Sequence, residues 1–594
     1  MRITLLRSLK LCCGASLVAG SLVFAGQPAD RGGRPGKLPA DLADRIASAA
    51  DSSDLIDVII QGEPGTAPVL RSRLLKRGGV IGRDLGLVDG MAATLTAADI
   101  ADLVLDPAVR RISPNRLVLS AMDVAAQAAG ASWSRGPGAG SAGPTGRGVG
   151  VAVIDSGIYP HEDLPAGVVR ASVDFIDPTR QGSDLAADPY GHGTHVAGII
   201  AGRSVASPVE PGGYLGGMAP GAHLVSLRVL DHKGMGRTSD VIAALQWCME
   251  HRREFALGVV NLSLGQPIDE PAGTDPLAQA VERAWRAGLV VVASAGNAGL
   301  TGTGYGTIAS PANDPLVIAV GALDDRNTAG RGDDEVAPFS SRGPARLDMT
   351  VKPDIVAPGV RIVSLRVPHS TLDRTLPEAR ISANRLGSSP ALEARYFQLS
   401  GSSMAAALVS GAVALMLQAD PTLSPDDVKA RLMRHADHGG GADIFTRGAG
   451  MIDVASAIAE ASSDLAPERA ASSASPVVAV EPLTASGVLI SDTGAAWGDP
   501  DLWSLEDLYG DPALWGEEVI QSIAFFEDPC LTGNGIAWQH AKAAGIVWQN
   551  AKAAGIVWQN AVAEGIVWQN MTSEAITSQG IAWQHSAGDG SCPF

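Results

Sequence analysis

Three short segments, far apart in the chain, carry the residue types that acyl transfer needs. Val151-Ala152-Val153-Ile154-Asp155-Ser156-Gly157 offers a carboxylate, Gly191-His192-Gly193-Thr194-His195-Val196-Ala197-Gly198 an imidazole, and Gly401-Ser402-Ser403-Met404-Ala405-Ala406 an alcohol. A serine hydroxyl is a weak nucleophile at neutral pH, so an imidazole must take its proton and a carboxylate must orient that imidazole. His192 and His195 also invite a metal reading, because histidines three or four apart on a helix can share an ion. The glutamate of an H-E-x-x-H site is missing, however, and glycines flank His192 instead. His195 is then a structural residue on the inner side of the helix.

Each group needs an element to hold it. Gly148 to Ile154 is a continuous apolar run, the pattern of a buried parallel strand that delivers Asp155 at its carboxyl end. Gly191 and Gly193 let a helix start close beside another segment, with His192 at its mouth. Met404 to Leu417 is dominated by Ala, Val, Leu and Met, which predicts a helix buried on most sides. Ser403 stands at its N-terminus, where a backbone N–H lacks an intrahelical partner and can face a developing oxyanion.

The chain order Asp, His, Ser separates this set from chymotrypsin-like enzymes and from α/β-hydrolases. With these motifs, residues 40 to 460 resemble a subtilisin-like serine peptidase. The resemblance implies an α/β fold: a three-layer domain with a mainly parallel central sheet and helices on both faces, preceded by a small α+β ferredoxin-like propeptide. It implies that Asp155 orients the base, His192 is the general base and acid, Ser403 is the nucleophile and Asn297, after the apolar run Val290 to Ala293, is the oxyanion asparagine. Gly234, Met235 and Gly236 would form one edge for an extended peptide. Ser263, Leu264 and Gly265 would wall the pocket beside the cut bond, with Ala293 to Gly296 opposite. Glycine at such an edge lets a second backbone pair as an added strand, so recognition would rest on main-chain hydrogen bonds and an uncharged pocket. The usual Gly-Thr-Ser-Met-Ala-x-Pro-His departs here to Gly401-Ser402-Ser403-Met404-Ala405-Ala406-Ala407-Leu408, which deletes no proton-transfer group. The expected partners are protein or peptide substrates. An esterase fits the Gly-x-Ser-x-Ala context and the chain order less well.

At 594 residues the chain exceeds one compact core. A formal net charge of −18 disfavours nucleic acid, whose phosphates need clustered Lys and Arg. Arg2, Arg7 and Lys10 precede an apolar run from Leu11 to Ala25, which reads as a secretory signal peptide; about 15 residues fall short of a membrane span. Secretion is the expected fate. Residues 26–122 then read as the propeptide, an intramolecular inhibitor and folding aid. Leu55 to Ile60 is a strand, Leu70 to Arg77 a helix, Gly90 to Thr96 a strand, Ala97 onward a helix and Val109 to Asn115 a strand. A Gly-, Ser- and Pro-rich linker over 123–147 leads to the catalytic domain, 148–460, with cleavage expected between about Val118 and Arg147. Arg366 to Tyr396 is an insert of low apolar periodicity, expected as a surface excursion.

No cofactor is required for the chemistry. Asp174, Asp177, Asp184 and Asp188 could supply oxygens to a structural calcium ion, the alternative being a solvated acidic loop. Residues 461–529 form an Ala-, Ser- and Pro-rich, then acidic, Trp-containing linker. The tail, 530–594, repeats Gly-Ile-Val-Trp-Gln around Trp538, Trp548, Trp558, Trp568 and Trp583. Short strands joined by Ala-Lys-Ala-Ala-Gly turns, stacked for cell-surface or carbohydrate contact, are one reading; a loosely ordered, trimmed tail is the other. Cys530 and Cys592 could pair across it or stay as two thiols.

Overall fold

The computed structural model describes residues 36–48, 54–76, 79–120, 143–180, 187–204, 214–302, 304–326, 331–381, 394–437, 442–460 and 474–475, together with the backbone of short strands between 536 and 584. The expected signal peptide, most of the linker before the catalytic region, Asp184, Cys530 and Cys592 lie outside the described residues.

The front unit runs α1 (Ala40–Ser48), β1 (Leu55–Gly62), α2 (Ala67–Lys76), β2 (Val80–Leu85), β3 (Gly90–Thr96), α3 (Ala97–Val104) and β4 (Val109–Pro114). Its strands form one antiparallel sheet in the order β2-β3-β1-β4. Successive side chains of a strand point to opposite faces, and β1 uses both. Ile56, Val58 and Ile60 pack with Leu70, Leu74, Ile100 and Leu103 of the helices, whereas Ile59 joins the core of the following domain. Helices therefore cover one face of the sheet and the main domain covers the other. Thr96 turns the chain from β3 into α3 by accepting the Asp99 N–H at its hydroxyl, 3.1 Å away. A short strand, β5 (Leu117–Ser120), then leaves the unit.

The main domain contains β6 (Gly150–Asp155), β7 (Val169–Asp174), α4 (His192–Ala201), β8 (His223–Arg228), β9 (Met235–Arg237), α5 (Thr238–Glu250), β10 (Leu257–Leu262), β11 (Leu264–Gly265), α6 (Pro276–Arg286), β12 (Val290–Ser294), β13 (Ile318–Asp324), β14 (Glu335–Val336) and β15 (Ile355–Pro358). After these come β16 (Ile362–Leu365), α7 (Thr371–Thr375), β17 (Arg380–Ile381), β18 (Tyr396–Leu399), α8 (Ser402–Ala419), α9 (Pro425–Arg434), α10 (Ile444–Arg447) and α11 (Val454–Ala459). The central sheet has the order β14-β13-β12-β10-β6-β8-β7, with β15 also on β13, and every pair is parallel except β13 with β14. From β6 the chain goes to the edge strand β7, returns through β8 beside β6, and then crosses to β10, β12 and β13 on the other side. That makes β6 the switch point, where a crevice opens beyond the carboxyl ends of the strands. Asp155 is the last residue of β6.

Helix α8 is long and apolar enough to cross a membrane by composition, yet 83% of it is buried among β10, β12, β13 and β15, so it is a core helix. Its small residues let α4 approach. On its other side α4 meets β16, where a Cβ on Gly198 would lie 2.2 Å from Ser364 Oγ and 2.5 Å from Leu365 Cγ.

Two expectations fail. The stretch from Arg366 to Tyr396 is not a mere surface excursion: β16, β18 and β17 form an antiparallel sheet, and Arg366, Leu372, Asp373, Ile381 and Tyr396 are buried. In the tail, Lys542–Ala544 is itself a strand rather than a turn. Tail strands pair in parallel, placing Trp538 beside Trp558, Trp558 beside Trp583 and Trp548 beside Trp568 as Cα partners. The Trp538–Trp558 and Trp548–Trp568 steps thus span twenty residues, two copies of the repeat.

Gly198→Ala should gain up to about 1 kcal/mol of helix propensity and lose roughly 1–3 kcal/mol to overpacking. The expected outcome is a lower thermal midpoint, read by circular dichroism.

Candidate active site

His192 opens α4, preceded by Gly191 at φ +99°, a left-handed conformation that a side chain rarely tolerates. A Cβ on Gly193 would sit 2.3 Å from Gly157 O, so glycine is what lets the helix mouth rest on the loop that follows β6. The result is a fully buried pair in which His192 Nδ1–H donates to Asp155, 2.8 Å from Oδ1 and 2.9 Å from Oδ2. Asp155 Oδ1 also accepts the Ser156 N–H at 2.7 Å.

Asp188 organises the same corner. Its Oδ1 accepts from Ser156 Oγ at 2.8 Å and from the Gly191 N–H at 2.7 Å, while Oδ2 accepts the Thr194 N–H and hydroxyl, each at 2.8 Å. Ser156 Oγ in turn accepts the Gly193 N–H at 2.9 Å. Asp188 thereby ties the residue after Asp155 to the first turn of the His192 helix, and burial pushes its carboxyl above the usual range. Of the other acids considered for calcium, Asp174 bonds the Ile176 and Asp177 N–H groups and Arg228, and Asp177 bonds Thr179. Among the described residues no three acidic, His or Cys groups converge as a metal site.

Ser403 lies in the first turn of α8 and is fully buried. Its Oγ donates to Ser263 O at 3.1 Å, and Ser263 Oγ donates to Ser403 O at 2.9 Å. Ser410 Oγ bonds Asn261 Oδ1 at 2.9 Å and Asn261 Nδ2 bonds Ser263 Oγ at 3.0 Å, so a polar chain locks the start of α8 onto β10. Asn297 Oδ1 accepts the Ser402 N–H at 2.9 Å, and its buried amide Nδ2 has no partner among the described residues. His192 Nε2 is also buried and has no partner among the described residues. A lone-pair nitrogen and an unspent amide donor, each buried and held by a bond at its other end, can respectively take a proton and stabilise an oxyanion.

Of the predicted recognition residues, Met235 and Gly236 stand on β9 and Leu264 and Gly265 form β11; Gly234 leads into the first and Ser263 into the second. Between them lies β5, antiparallel to both: Leu119 pairs with Met235 and Gly265, Val118 with Gly236, and Ser120 with Leu264. A cavity of about 330 Å³ adjoins it, lined by Gly265, Gly296, Asn297, Ile308 and Ala309 among others. Ala293 is not part of that wall. It is buried in β12 opposite Leu262, because alternation along the strand turns it into the sheet core. Sequence reasoning missed Asn261, Ser410 and the bonding of Asp188; a lone Asn in the apolar run Val259-Val260-Asn261-Leu262 was the available signal.

His195 Nε2–H donates to Phe397 O at 3.2 Å, and burial, with His192 nearby, pushes the imidazole down to about 3. Cys248 is buried in α5, and burial pushes its thiol up, which suits a packing role.

The fold and this constellation define a hydrolase built for serine acyl transfer. Residues 146–451 match the model of the subtilase family. The chain is 38% identical over 355 residues to serine protease AprX of Bacillus subtilis, covering 59% of this chain and 74% of that one. It is 33% identical over 421 residues to subtilisin E of the same organism, covering 69% and 93%. The structure is similar to that of fervidolysin from Fervidobacterium pennivorans at a TM-score of 0.53 and 22% identity, over 69% of this chain and 61% of that one, a likeness of fold. The chain belongs to the subtilase family and is a subtilisin-like serine endopeptidase.

Asn297→Ala should lower kcat about 100- to 1,000-fold with KM little changed, in steady-state hydrolysis of a peptide anilide. A second expectation concerns acid. With the folded imidazole of His195 at about 3 and an unfolded value near ~6.5, the unfolded chain binds the extra proton between the two. Stability therefore falls as pH drops below about 6.5 and goes on falling toward pH 3. His195→Gln, which keeps a donor toward Phe397 O, should flatten that part of a denaturant-midpoint profile.

Proposed function

We propose that the chain is secreted as a zymogen and frees itself by hydrolysing its own backbone. Asp155 orients His192, His192 takes the proton of Ser403, Ser403 forms the acyl-enzyme, and Asn297 holds the oxyanion. The observation that carries this reading is β5, an extended segment of the front unit seated as the middle strand between β9 and β11. Main-chain pairing of that kind is how a sheet edge takes up a peptide. The side chains of β5 alternate accordingly: Val118 is fully buried, while Leu117 and Leu119 remain 55% and 48% exposed.

The register runs toward the nucleophile: Leu119 pairs with Gly265 and Ser120 with Leu264, and the residue before Leu264 is Ser263, whose carbonyl accepts from Ser403 Oγ. Ala121–Met122 is the proposed cut, and the small side chain of Ala121 suits an uncharged pocket.

The front unit also grips the main domain through side chains that precede this strand, which supports its role as an inhibitor. Arg111 Nε and Nη2 donate to Glu270 Oε2 at 2.8 and 2.5 Å, Ser113 Oγ joins at 2.8 Å, and the ion pair is almost wholly buried. Asn115 Oδ1 accepts the Ser239 N–H in the first turn of α5 at 3.0 Å. Buried, satisfied pairs of this type are costly to break from one side.

N-terminal sequencing tests the reading. Wild-type protein should begin at Met122 and be labelled at Ser403 by a fluorophosphonate, and Ser403→Ala should retain the front unit, go unlabelled and leave casein intact. Active secreted enzyme still carrying residues 36–120 would sink the zymogen reading, and labelling without casein hydrolysis would favour an esterase.

A further inference from the structure

We infer that the segment from Arg366 to Ile381 is a positioning element for His192, acting through the loop that carries it. This rests on the assignment of His192 as general base.

The segment folds around one buried carboxylate. Asp373 accepts Arg366 Nε at 2.6 Å and Nη2 at 2.9 Å, Arg380 Nε at 2.7 Å and the His369 N–H at 2.8 Å. These donors hold its carboxyl at about 2 against the opposing effect of burial, so it stays charged at any working pH. Arg380 closes the loop with a second bond to Asp373 O at 2.7 Å. Ser370 caps α7 by accepting the Asp373 N–H at 3.2 Å.

The fixed turn then reaches across to the catalytic loop. The Thr371 N–H donates to Pro189 O and the Leu372 N–H to Tyr190 O, each at 3.0 Å. Pro189 and Tyr190 are the residues between Asp188 and Gly191, immediately before His192. Ser370 stands against Gly191, where a Cβ would fall 2.5 Å from its Oγ. The Tyr190 ring is 6.3 Å from the His192 ring. Asp188 thus holds the loop from inside, and the Arg366–Ile381 segment holds it from outside. The same strands fix the helix beyond it: Ser364 Oγ donates to His195 O at 2.7 Å, and Phe397 O takes the His195 ring. Side-chain placement matters on this scale, since a shift of about 1 Å in a catalytic group can cost about 100-fold in rate.

One substitution isolates the contact. Thr371 is the first residue of α7, where proline is tolerated because its φ is already helical and the missing N–H has no intrahelical partner. Ser370 at φ −64°, ψ 168° has the extended conformation that a residue before proline requires. Thr371→Pro therefore deletes the bond to Pro189 O and puts the ring Cδ where the N–H pointed, so the Pro189 carbonyl must move aside; it also removes the hydroxyl that accepts from Arg374, a loss that Thr371→Ala shares. The expected result is a kcat lowered about 10-fold or more with KM within about twofold, an unchanged circular dichroism spectrum, and recovery in Thr371→Ala, which retains the N–H. Folded Thr371→Pro with wild-type kcat would overturn the inference, as would an equal change in kcat and KM. Arg380→Ala, which loosens the Asp373 hub from its more exposed side, should give a smaller loss with the same split. If Thr371→Pro does not accumulate, an Arg380→Ala enzyme with unchanged kcat refutes the proposal. His192→Ala in parallel separates the two ideas: activity surviving that change would refute the base assignment itself.

Discussion

A carboxylate and an imidazole buried together against water are the constraint that the rest of this molecule answers. Asp155 and His192 have no measurable exposure, and a buried charge is tolerable only when its lone pairs are met. The Ser156 N–H meets one of them, and Ser156 Oγ bridges to Asp188, which gathers the Gly191 and Thr194 amides. These bonds need backbone to approach backbone, which is why Gly157, Gly191 and Gly193 surround the pair. At Gly157, as at Gly193, a Cβ would collide with a carbonyl oxygen, here Ala187 O at 2.1 Å. The geometry of the pair is inseparable from the glycines in the two motifs.

The parts of the fold that do not depend on distant partners were legible in the sequence. Unbroken apolar runs ending at Asp155 and Ala293 are central strands, and the Ala-rich run after Ser403 is a buried helix, because a residue covered on every side has no polar face to display. Asp188 was misjudged for the opposite reason. In a loop rich in aspartate it resembles a solvated acid or an ion ligand, and only the folded chain brings Ser156 to it. The part of the Arg366–Tyr396 stretch from Arg366 to Ile381 shows no apolar period because its turn is organised by a carboxylate and two arginines rather than by a hydrophobic stripe. Its partners Pro189 and Tyr190 lie about 180 residues earlier. In the tail, three-residue strands are too short to display alternation, and their partners are mostly twenty residues away, so Lys542 to Ala544 passed for a turn.

On the proposed reading, the slot between β9 and β11 explains why one site would hold its own chain and cut others. Most of what it offers is main-chain hydrogen bonding, which every peptide can satisfy, and side chains alternate between the domain and solvent. Burying one valine-sized group contributes roughly 1.5–3 kcal/mol, a modest preference beside the strand pairing. The front unit owes its hold to other contacts, above all the Arg111–Glu270 pair, which a substrate lacks. Inhibition and turnover on the proposed reading thus share a strand and differ in their anchors.

Two sets of bonds therefore hold the residues that lead into His192. The Asp188 carboxylate, at the start of the loop, ties it to Ser156 and to the Gly191 and Thr194 amides, and the amides of Thr371 and Leu372, about 180 residues later in the chain, bond the carbonyls of Pro189 and Tyr190. A loop held from one side can rotate about its anchors, whereas one held from both has its φ and ψ fixed by bonds of different origin. On the proposed reading of His192 as general base, a mobile loop would let its ring leave Asp155 and return in an uncontrolled orientation. Clamped by these bonds, the loop keeps the nitrogen that would accept the proton in its place.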